Sequence, residues 1–567
     1  MKKRSIVFFI NLLFITVNMS MGNDADPSFS IKWQNTPWSS GGEIPAGPPW
    51  SMVGPYDFDG DNFGDFIVSS AYAGEFCNGV YHYEAVSNDS IELKWVYTFY
   101  ELSCSDDAYS SVAVGDIDGD GNQEIISLVD TSPGTLGQDG LQVFEWNPDS
   151  MSFLSSPTYT WDMGLDGVWE AAQILVDDLD GDGNQEVIVS IMDGPSWAEM
   201  ATGGSSRLMI FELESITDGE PVFNIEYEDN SWTNWSGYNL SIGDLDGDNL
   251  KEIYTVAYEY YHLIVYENTG EDSYEYQTDF YIASEQYQRA NQGIVIEDIN
   301  NDGQSELFCA TSGVNSLAGD IFYTPGSFYI ASGVSDVSDL SFANFNLIST
   351  YAGGLRQLVI GDADKDDNLN VYIAGHYNEA LYDWEYNGGD PASPDSYTEN
   401  LVYMDNLDDS FTTEGTALDQ DQGKVRVAKL FSGDIDYDGQ GDIVFTSASF
   451  AIDKPHVFMI EHNGELNSDV GAILPQTILL EQNHPNPFNN QTTFSYTLAN
   501  QSKVSIVVYD IFGREVVSLF EGFQNEGSYN QSWNGFDKDS KQAASGIYFY
   551  KIKTKTEAIT KKMVFSK

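Results

Sequence analysis

The sequence repeats one nine-residue acidic pattern seven times. The pattern reads D-x-[DN]-x-D-x-x-x-[DEN], and its copies begin at Asp57, Asp116, Asp178, Asp244, Asp298, Asp362 and Asp434. A short apolar segment precedes each copy, and a run rich in β-branched and aromatic residues follows it. These flanks indicate a strand, an acidic hairpin loop and a second strand. Because the copies start 54 to 72 residues apart, the chain is built from repeats of one supersecondary unit.

Most units continue with two further apolar runs. The first unit, for example, has GVYHYEA at residues 79–85 and IELKWVY at residues 91–97. Four short strands in about 60 residues, repeated seven times, are typical of an all-β, seven-bladed β-propeller. The seventh unit offers only three strands, whereas SFSIKWQ at residues 28–34 resembles a fourth strand that has no unit of its own. We therefore expect this N-terminal strand to complete the last sheet and close the ring.

The loops place oxygen atoms at alternate positions, which is the arrangement that a hard divalent cation requires. Positions 1, 3, 5 and 9 supply side-chain oxygens, and position 7 supplies a backbone carbonyl. We predict up to seven calcium ions, one per blade. The predicted side-chain ligands are Asp57, Asp59, Asp61 and Asp65; Asp116, Asp118, Asp120 and Glu124; Asp178, Asp180, Asp182 and Glu186; Asp244, Asp246, Asp248 and Glu252; Asp298, Asn300, Asp302 and Glu306; Asp362, Asp364, Asp366 and Asn370; Asp434, Asp436, Asp438 and Asp442.

The acidic loops have two alternative interpretations. Asp- and Gly-rich loops also serve as plain hairpin turns on a solvated face, but seven copies in register favour metal binding. An EF-hand is excluded because the flanks do not indicate helices and the loops have no Glu at position 12.

The loops and their apolar flanks resemble the FG-GAP/VCBS repeats of the N-terminal propeller of integrin α-subunits and its bacterial relatives. The resemblance covers about residues 28–465. It implies a seven-bladed propeller with calcium in the loop between the first two strands of each blade. The fifth loop departs from the pattern at Asn300, and the sixth departs at Lys365, Asp367 and Asn370. The sixth loop therefore fits the calcium pattern least well.

Charge and hydropathy limit what the protein binds and where it acts. There are 89 Asp and Glu residues against 24 Lys and Arg, a net charge of −65, which argues against binding to nucleic acid or anionic membranes. Residues 1–22 have a basic start and an apolar run that is too short to span a bilayer, so they predict a secretory signal peptide rather than a buried strand. No later run suggests a transmembrane segment in the mature chain. Export permits a disulfide between Cys77 and Cys104, and Cys309 is expected to be a buried, apolar residue.

The composition changes near residue 470. Residues 474–567 alternate apolar and polar residues between Gly, Pro and Asn turns, which predicts a small antiparallel, immunoglobulin-like β-sandwich. This segment resembles the type A sorting domain of type IX secretion cargo in NPFN (486–489), YDIFGREV (509–516), SGIYF (545–549) and KMV (562–564). The resemblance implies export by the type IX machinery of a Bacteroidetes-type bacterium, with secretion or attachment at the outer cell surface. The alternative is an ordinary sandwich domain at the end of a secreted enzyme.

No catalytic motif stands out, because the six histidines occur neither in H-E-x-x-H nor beside a G-x-S-x-G. Aromatic residues concentrate in segments expected on the face opposite the calcium loops: Trp38, Trp50, Trp161, Trp169, Trp197, Trp232, Trp235, Tyr258, Tyr260, Tyr261, Tyr351 and Tyr377. Such residues either stack on sugars or capture peptides, or they fill the channel and pack the blades.

The leading hypothesis is a calcium-binding propeller that acts as a binding or adhesion module for a glycan or protein ligand. The alternative is an extracellular polysaccharide-degrading enzyme, a calcium-dependent lyase, for which the few candidate bases are Arg207, Arg289, Arg356, Lys424 and Arg426. A purely structural surface component is a third possibility.

Overall fold

A computed structural model describes residues 28–566 with gaps. Gaps of eight or more residues lie at 37–48, 71–78, 99–109, 130–139, 195–204, 405–426 and 463–477. The predicted signal peptide and the cysteine pair Cys77 and Cys104 lie outside the described residues. The chain divides into two compact units, Met1–Gly464 and Glu465–Lys567.

The described secondary structure is nearly all β-strand, which confirms the predicted fold class. Its helices are three single-turn 3-10 helices, Val337–Asp339, Phe342–Asn344 and Pro394–Ser396. Within the described part of the chain, no helix has the length and hydropathy needed to cross a bilayer.

The described residues of the first unit form seven antiparallel sheets, which we number in chain order. Strand β1 (Phe29–Gln34) belongs to the last of them. Sheet 1 contains β2 (Pro49–Tyr56), β3 (Asp65–Ser70), β4 (Gly79–Ser87) and β5 (Ser90–Thr98). Sheet 2 contains β6 (Ser110–Gly115), β7 (Glu124–Val129), β8 (Gly140–Asn147) and the short strands β9 (Ser152–Phe153) and β10 (Tyr159–Trp161), which both pair with β8.

Sheets 3 to 5 continue the same order. Sheet 3 contains β11 (Val168–Asp177), β12 (Glu186–Gly194), β13 (Ser205–Thr217) and β14 (Glu220–Thr233). Sheet 4 contains β15 (Asn239–Gly243), β16 (Glu252–Ala257), β17 (His262–Gly270) and β18 (Ser273–Tyr281). Sheet 5 contains β19 (Arg289–Glu297), β20 (Glu306–Ser312), β23 (Gly326–Ala331) and β24 (Phe345–Tyr351), with the hairpin β21 (Val314–Leu317) and β22 (Asp320–Tyr323) inserted after β20.

The last two sheets complete the unit. Sheet 6 contains β25 (Leu355–Gly361), β26 (Asn370–Gly375), β27 (Ala380–Tyr386) and β28 (Tyr397–Met404). Sheet 7 contains β29 (Val427–Gly433), β30 (Asp442–Ser447), β31 (Val457–His462) and, as its fourth strand, β1.

The seven sheets follow one another in a closed cycle. The first strand of each sheet contacts the first strand of the next, from β2 through β6, β11, β15, β19 and β25 to β29, and β29 contacts β2 again. A cluster of buried apolar side chains lies between each neighbouring pair of sheets. The cluster between sheets 7 and 1 contains Phe66 and Phe431, whose ring centroids are 5.5 Å apart. The unit therefore has a propeller-like arrangement in which each sheet is covered on both faces.

This burial explains the sequence pattern of the strands. All six residues of β3, β26 and β30 are buried, so the second strand of a sheet reads as a continuous apolar run. The fourth strand instead alternates between more buried and more exposed residues, as β5 does, because this outer strand is half solvated.

The N-terminal strand closes the cycle as predicted. Strand β1 pairs antiparallel with β31, from Phe29 opposite His462 to Gln34 opposite Phe458. The side chain of Asn35 extends the junction, because its Oδ1 accepts hydrogen bonds from the backbone N–H of His456 at 2.7 Å and of Val457 at 2.9 Å. Asn35 is 7% exposed, so this junction is dry.

The second unit is a β-sandwich, as predicted. One sheet contains β32 (Ile478–Leu480), β33 (Thr492–Leu498) and β36 (Gly527–Trp533), and the other contains β34 (Ser502–Asp510), β35 (Glu515–Gln524), β37 (Gly546–Lys553) and β38 (Ala558–Phe565). Side chains from both sheets form one core, in which the rings of Phe494 and Tyr550 stack with centroids 4.2 Å apart.

Replacing Asn35 by Ala tests the closure. The substitution leaves two buried backbone donors without an acceptor, and each unsatisfied donor costs about 1–3 kcal/mol. We expect a lower midpoint of urea-induced unfolding for the first unit, followed by tryptophan fluorescence. Thr36→Ala, at the exposed neighbouring position, is the control. Equal midpoints for the two variants would contradict this account of the closure.

Candidate metal centres in the seven loops

Each acidic loop joins the first and second strands of one sheet, and all seven loops share one backbone conformation. The fourth and sixth positions have a positive φ in every loop. These residues are Gly60 and Asn62, Gly119 and Gly121, Gly181 and Gly183, Gly247 and Asn249, Asn301 and Gly303, Lys365 and Asp367, and Tyr437 and Gly439. The sixth loop keeps this conformation although Lys365 and Asp367 replace the usual glycines.

Side-chain carboxylates hold the loop backbone in this shape. In the second loop, Asp116 accepts from the N–H of Gly121 at 3.0 Å, and Asp118 accepts from the N–H of Asp120 at 3.2 Å. Asp120 in turn accepts from the N–H of Asn122 at 2.8 Å. The same bond from position 7 to position 5 recurs in the other six loops.

This wrapping brings the predicted ligands together. Oxygen atoms of Asp116, Asp118, Asp120 and Glu124 lie within 4.8 Å of one another, and the corresponding four residues of the fourth loop do the same. In the first loop Asp57, Asp59 and Asp61 form such a group.

In every loop but the sixth, the ninth position anchors the loop to the body of its sheet. Glu124 is fully buried at the start of β7, and its Oε2 accepts from the backbone N–H of Ile117 at 2.8 Å. The equivalent bond is 2.7 Å in the first loop, 2.6 Å in the third, 2.8 Å in the fourth and 2.9 Å in the seventh. The side chain of Ile117 packs into the core between sheets 2 and 3. Position 2 of each loop therefore serves twice, through its N–H and through its apolar side chain.

The ninth-position carboxyls are poorly solvated. The Oε1 atom of Glu124 is buried and has no hydrogen-bond partner among the described residues, and the same is true of Oε1 of Glu252 and Oδ1 of Asp442. Burial raises the pKa of Glu124 to about 9 and the pKa of Glu186, Glu252 and Asp442 to about 8. A divalent cation would supply the missing partner and favour the charged form. The donor set therefore fits a hard cation such as calcium.

The loops also contact the next sheet through their third position. Asp180 accepts from the N–H of Asp272 at 2.8 Å, and Asp246 accepts from the N–H of Val337 at 3.0 Å. At the closure of the cycle, Asp436 accepts from the N–H of Asp89 in sheet 1 at 2.6 Å. The candidate metal centres of the third, fourth and seventh loops thus lie where neighbouring sheets meet.

The first loop differs at its ninth position. Both carboxylate oxygens of Asp65 have partners, because Oδ2 accepts from the N–H of Phe58 and Oδ1 lies 2.6 Å from Nε2 of His82. His82 is fully buried. Asp65 groups with His82 and Glu84 on the next strand, so a loop cation would share this ligand with the imidazole.

The sixth loop differs in two ways. The amide of Asn370 donates to Asp383 and Glu385 at 2.8 Å each, and the hydroxyl of Tyr372 accepts from the N–H of Ala363 at 2.9 Å in its place. Lys365 reaches across to the seventh loop, where its Nζ lies 2.6 Å from Oδ2 of Asp434. These contacts occupy the side chains of Asn370 and Lys365, so the sixth loop is also the poorest structural fit to a calcium site among the seven described loops.

Sequence reasoning missed a second acidic position. A glutamate on the third strand lies directly opposite the ninth loop position in six of the seven sheets: Glu84, Glu145, Glu212, Glu267, Glu385 and Glu461. The signal was visible as the recurring Glu in runs such as GVYHYEA, LQVFEW and HLIVYEN.

Few side chains of the predicted aromatic face are among the described ones. Side chains are described for three of the twelve aromatic residues, and all three are packed. Trp161 contacts Phe211 and Phe223, while Tyr261 and Tyr351 are buried. The remaining nine side chains lie outside the described ones. Among the candidate lyase bases only Arg356 has a described side chain, and it is buried.

Comparison with protein families identifies the second unit. Residues 483–566 match the model described as a secretion system C-terminal sorting domain. The tail is a type IX sorting domain. It marks the chain as an exported protein that engages the type IX secretion machinery and attaches to the outer surface of a Bacteroidetes-type bacterium. Residues 57–127 match an FG-GAP-like repeat, in agreement with the resemblance of the loops. No curated protein matches the chain.

Solved structures with related folds share little sequence with this chain. A periplasmic gluconolactonase of Pseudomonas aeruginosa, PpgL, has 9% identity over 63% of this chain and 84% of its own, with a TM-score of 0.37. A fungal alcohol oxidase of the AA5 family, in complex with copper, has 8% identity over 92% and 100%, with a TM-score of 0.40. PorZ, a surface component of the type IX secretion system of Porphyromonas gingivalis, has 11% identity over 89% and 74%, with a TM-score of 0.22. At these TM-scores the similarities carry no argument about the function of this chain.

Gly119→Ala tests the shared loop conformation. A Cβ at Gly119 meets no atom within 4 Å, so the substitution changes only the cost of the left-handed backbone, which is about 1–2 kcal/mol. We expect a correspondingly lower unfolding midpoint. Gly119→Asn is the matched control because Asn301 adopts φ 56° at the same position of the fifth loop. An alanine variant as stable as wild type would be inconsistent with this conformation.

Tyr372→Phe tests the anchor of the sixth loop. Removing the hydroxyl leaves the buried N–H of Ala363 without its acceptor and costs about 1–3 kcal/mol. Tyr254→Phe is the control, since Tyr254 occupies the same register position in sheet 4 but Glu252 keeps the loop N–H bonded there. Urea denaturation should show the larger loss for Tyr372→Phe. The reverse order would refute the anchor.

Proposed function

We propose that the first unit is a seven-bladed, calcium-loaded propeller that serves as a binding or adhesion module for a glycan or protein ligand at the cell surface. Each of the seven sheets is one blade, and each loop between the first and second strands holds one calcium ion. The sorting domain delivers the module to the outer surface.

One observation carries the calcium part of this proposal. Seven loops repeat the same conformation, and carboxylates of the second, fourth and seventh loops have buried oxygens without hydrogen-bond partners among the described residues. Four carboxylates within 4.8 Å repel one another unless a cation lies between them. Extracellular calcium sites need bind only at about 10⁻⁴–10⁻³ M, which suits an exported protein.

The binding role rests on the FG-GAP-like repeat at residues 57–127 and on the resemblance of the loops to those of integrin α-subunits. Three of the five described histidines, for example, make contacts within the fold. His82 pairs with the loop carboxylate Asp65, His262 pairs with Asp279 at 2.7 Å, and the ring of His462 packs on Phe29. These contacts tie the three side chains to strands of sheets 1, 4 and 7. The lyase alternative has only the buried Arg356 in its favour among the described side chains.

Calcium-dependent melting of the full chain tests the metal proposal. We expect a calcium-dependent rise in the melting temperature of the first unit over that in chelator, which magnesium at the same ionic strength does not reproduce. The rise follows from binding to the folded state alone. An unchanged melting temperature would show that the acidic loops are only turns.

A loop variant assigns the effect to the proposed sites. Asp120→Asn removes one charged ligand from the second loop and should reduce the calcium-dependent rise. Asp149→Asn, at an exposed turn of sheet 2 outside the loops, is the control for lost charge. Equal reductions in both variants would point to general electrostatics instead of a loop site.

Two assays on the calcium-loaded chain separate binding from catalysis. A binding module should be retained by immobilised glycans or host matrix proteins without altering them. A lyase should release unsaturated sugars, which absorb in the ultraviolet, from an acidic polysaccharide. Calcium-dependent product release would overturn the binding proposal.

A further inference from the structure

The third-strand glutamates and the ninth loop positions form a second, regular set of carboxylate pairs. Glu145 lies opposite Glu124, and Glu267 lies opposite Glu252. Side chains directly opposite on antiparallel strands point to the same face of the sheet. The third-strand carboxylate is therefore presented on the same side as the loop ligand of that sheet.

Sheets 1 and 7 show how close this second carboxylate comes to the loop. An oxygen of Glu84 lies within 4.8 Å of one of Asp65, and an oxygen of Glu461 lies within 4.8 Å of one of Asp436. Both Asp65 and Asp436 are predicted calcium ligands. The strand register is the same in sheets 2 and 4, so Glu145 and Glu267 occupy the positions equivalent to Glu84 and Glu461.

In sheets 1 and 7, a lysine on the fourth strand pairs with the third-strand glutamate. Lys94 on the fourth strand of sheet 1 lies 3.4 Å from Glu84. Lys32 on β1, the fourth strand of sheet 7, pairs with Glu461 and lies 3.8 Å from Asp89. In these two sheets an ammonium group already neutralises the third-strand carboxylate.

Sheets 2 and 4 lack this neutralisation in the part of the chain that the structure describes. The Oε1 atoms of Glu145 and Glu267 are buried and have no hydrogen-bond partner there, and Glu267 is only 9% exposed. The charges acting on Glu267 are foremost those of Asp246, Asp248 and Asp244, which all repel it.

Glu145 faces its own loop in the same way, with Asp118, Asp120 and Asp116 as the repelling charges. A carboxylate that has a buried oxygen and faces three others requires either a positive partner or a proton. The third-strand acids of sheets 3 and 6 differ. The carboxyls of Glu212 and Glu226 share a hydrogen bond, which requires a proton on one of them, and Glu385 accepts from the amide of Asn370.

We propose that Glu145 and Glu267 are additional carboxylate ligands of the cations in the second and fourth loops, whereas Lys94 and Lys32 withhold Glu84 and Glu461 from the first and seventh. The seven sites then fall into classes, and loops 2 and 4 bind calcium more tightly than loops 1 and 7. This inference rests on the proposed calcium binding. Because ligand charge is a main determinant of calcium affinity, we expect the sites within one ring to differ in their affinity for calcium.

Matched double variants of the full chain test the proposal. Glu145→Gln/Glu267→Gln removes the two available carboxylates, and Glu84→Gln/Glu461→Gln removes two at the same register that lysines already hold. Calcium binding is measured by titration against a chromophoric chelator at fixed ionic strength. For Glu145→Gln/Glu267→Gln, we expect two of the bound calcium ions to require a free calcium concentration at least about tenfold higher. For Glu84→Gln/Glu461→Gln, we expect the tight sites in loops 2 and 4 to be unchanged.

The outcomes separate this inference from the proposed function. If the wild-type chain binds no calcium, the proposed function itself fails and this inference fails with it. If wild type binds calcium but the two double variants give the same isotherm, only the third-strand assignment is overturned. Circular dichroism in saturating calcium checks that both variants are folded. If the first double variant is unfolded, the single variants Glu145→Gln and Glu267→Gln replace it, and each should shift one ion.

Discussion

The structure of the first unit depends on one buried hydrogen bond, made once in nearly every sheet. The carboxyl at the ninth loop position accepts from the backbone N–H of the second position, as Glu252 does from Leu245 at 2.8 Å. The bond fixes the loop to the second strand and directs an apolar side chain into the core beside the next sheet. The second carboxylate oxygen of Glu252 is buried and has no hydrogen-bond partner among the described residues. One interaction therefore builds the hairpin and seals the core, and in the proposed function it also holds a calcium ligand in place.

The closed cycle follows from the same units. A single four-stranded sheet with both faces apolar cannot bury them alone, so each sheet needs a neighbour on either side. The loops add polar links between neighbours, such as the bond from the N–H of Asp272 to Asp180. At the closure, β1 supplies the missing fourth strand, and Lys32 joins Glu461 in sheet 7 to Asp89 in sheet 1. The ammonium group of Lys32 thus takes part in the junction between the N-terminal strand and the last sheet.

The repeat made most of this architecture predictable. Seven acidic loops with apolar flanks indicated the strands, the all-β class and the closing role of residues 28–34, because a fixed period leaves few ways to pack such units. What escaped prediction depends on side chains that meet only in the fold. Tyr372 replaces a carboxyl as the acceptor in the sixth loop, and His82 takes an oxygen of Asp65. The third-strand glutamates recur in the sequence, but only the strand register shows that they lie opposite the loop ligands.

The most direct test of this account is an anomalous difference map from crystals of the full chain grown with calcium. The account predicts peaks inside the acidic loops, strongest among Asp116, Asp118, Asp120 and Glu124 and at the corresponding residues of the fourth loop, and weakest in the sixth. Well-ordered loops without peaks at millimolar calcium would contradict it.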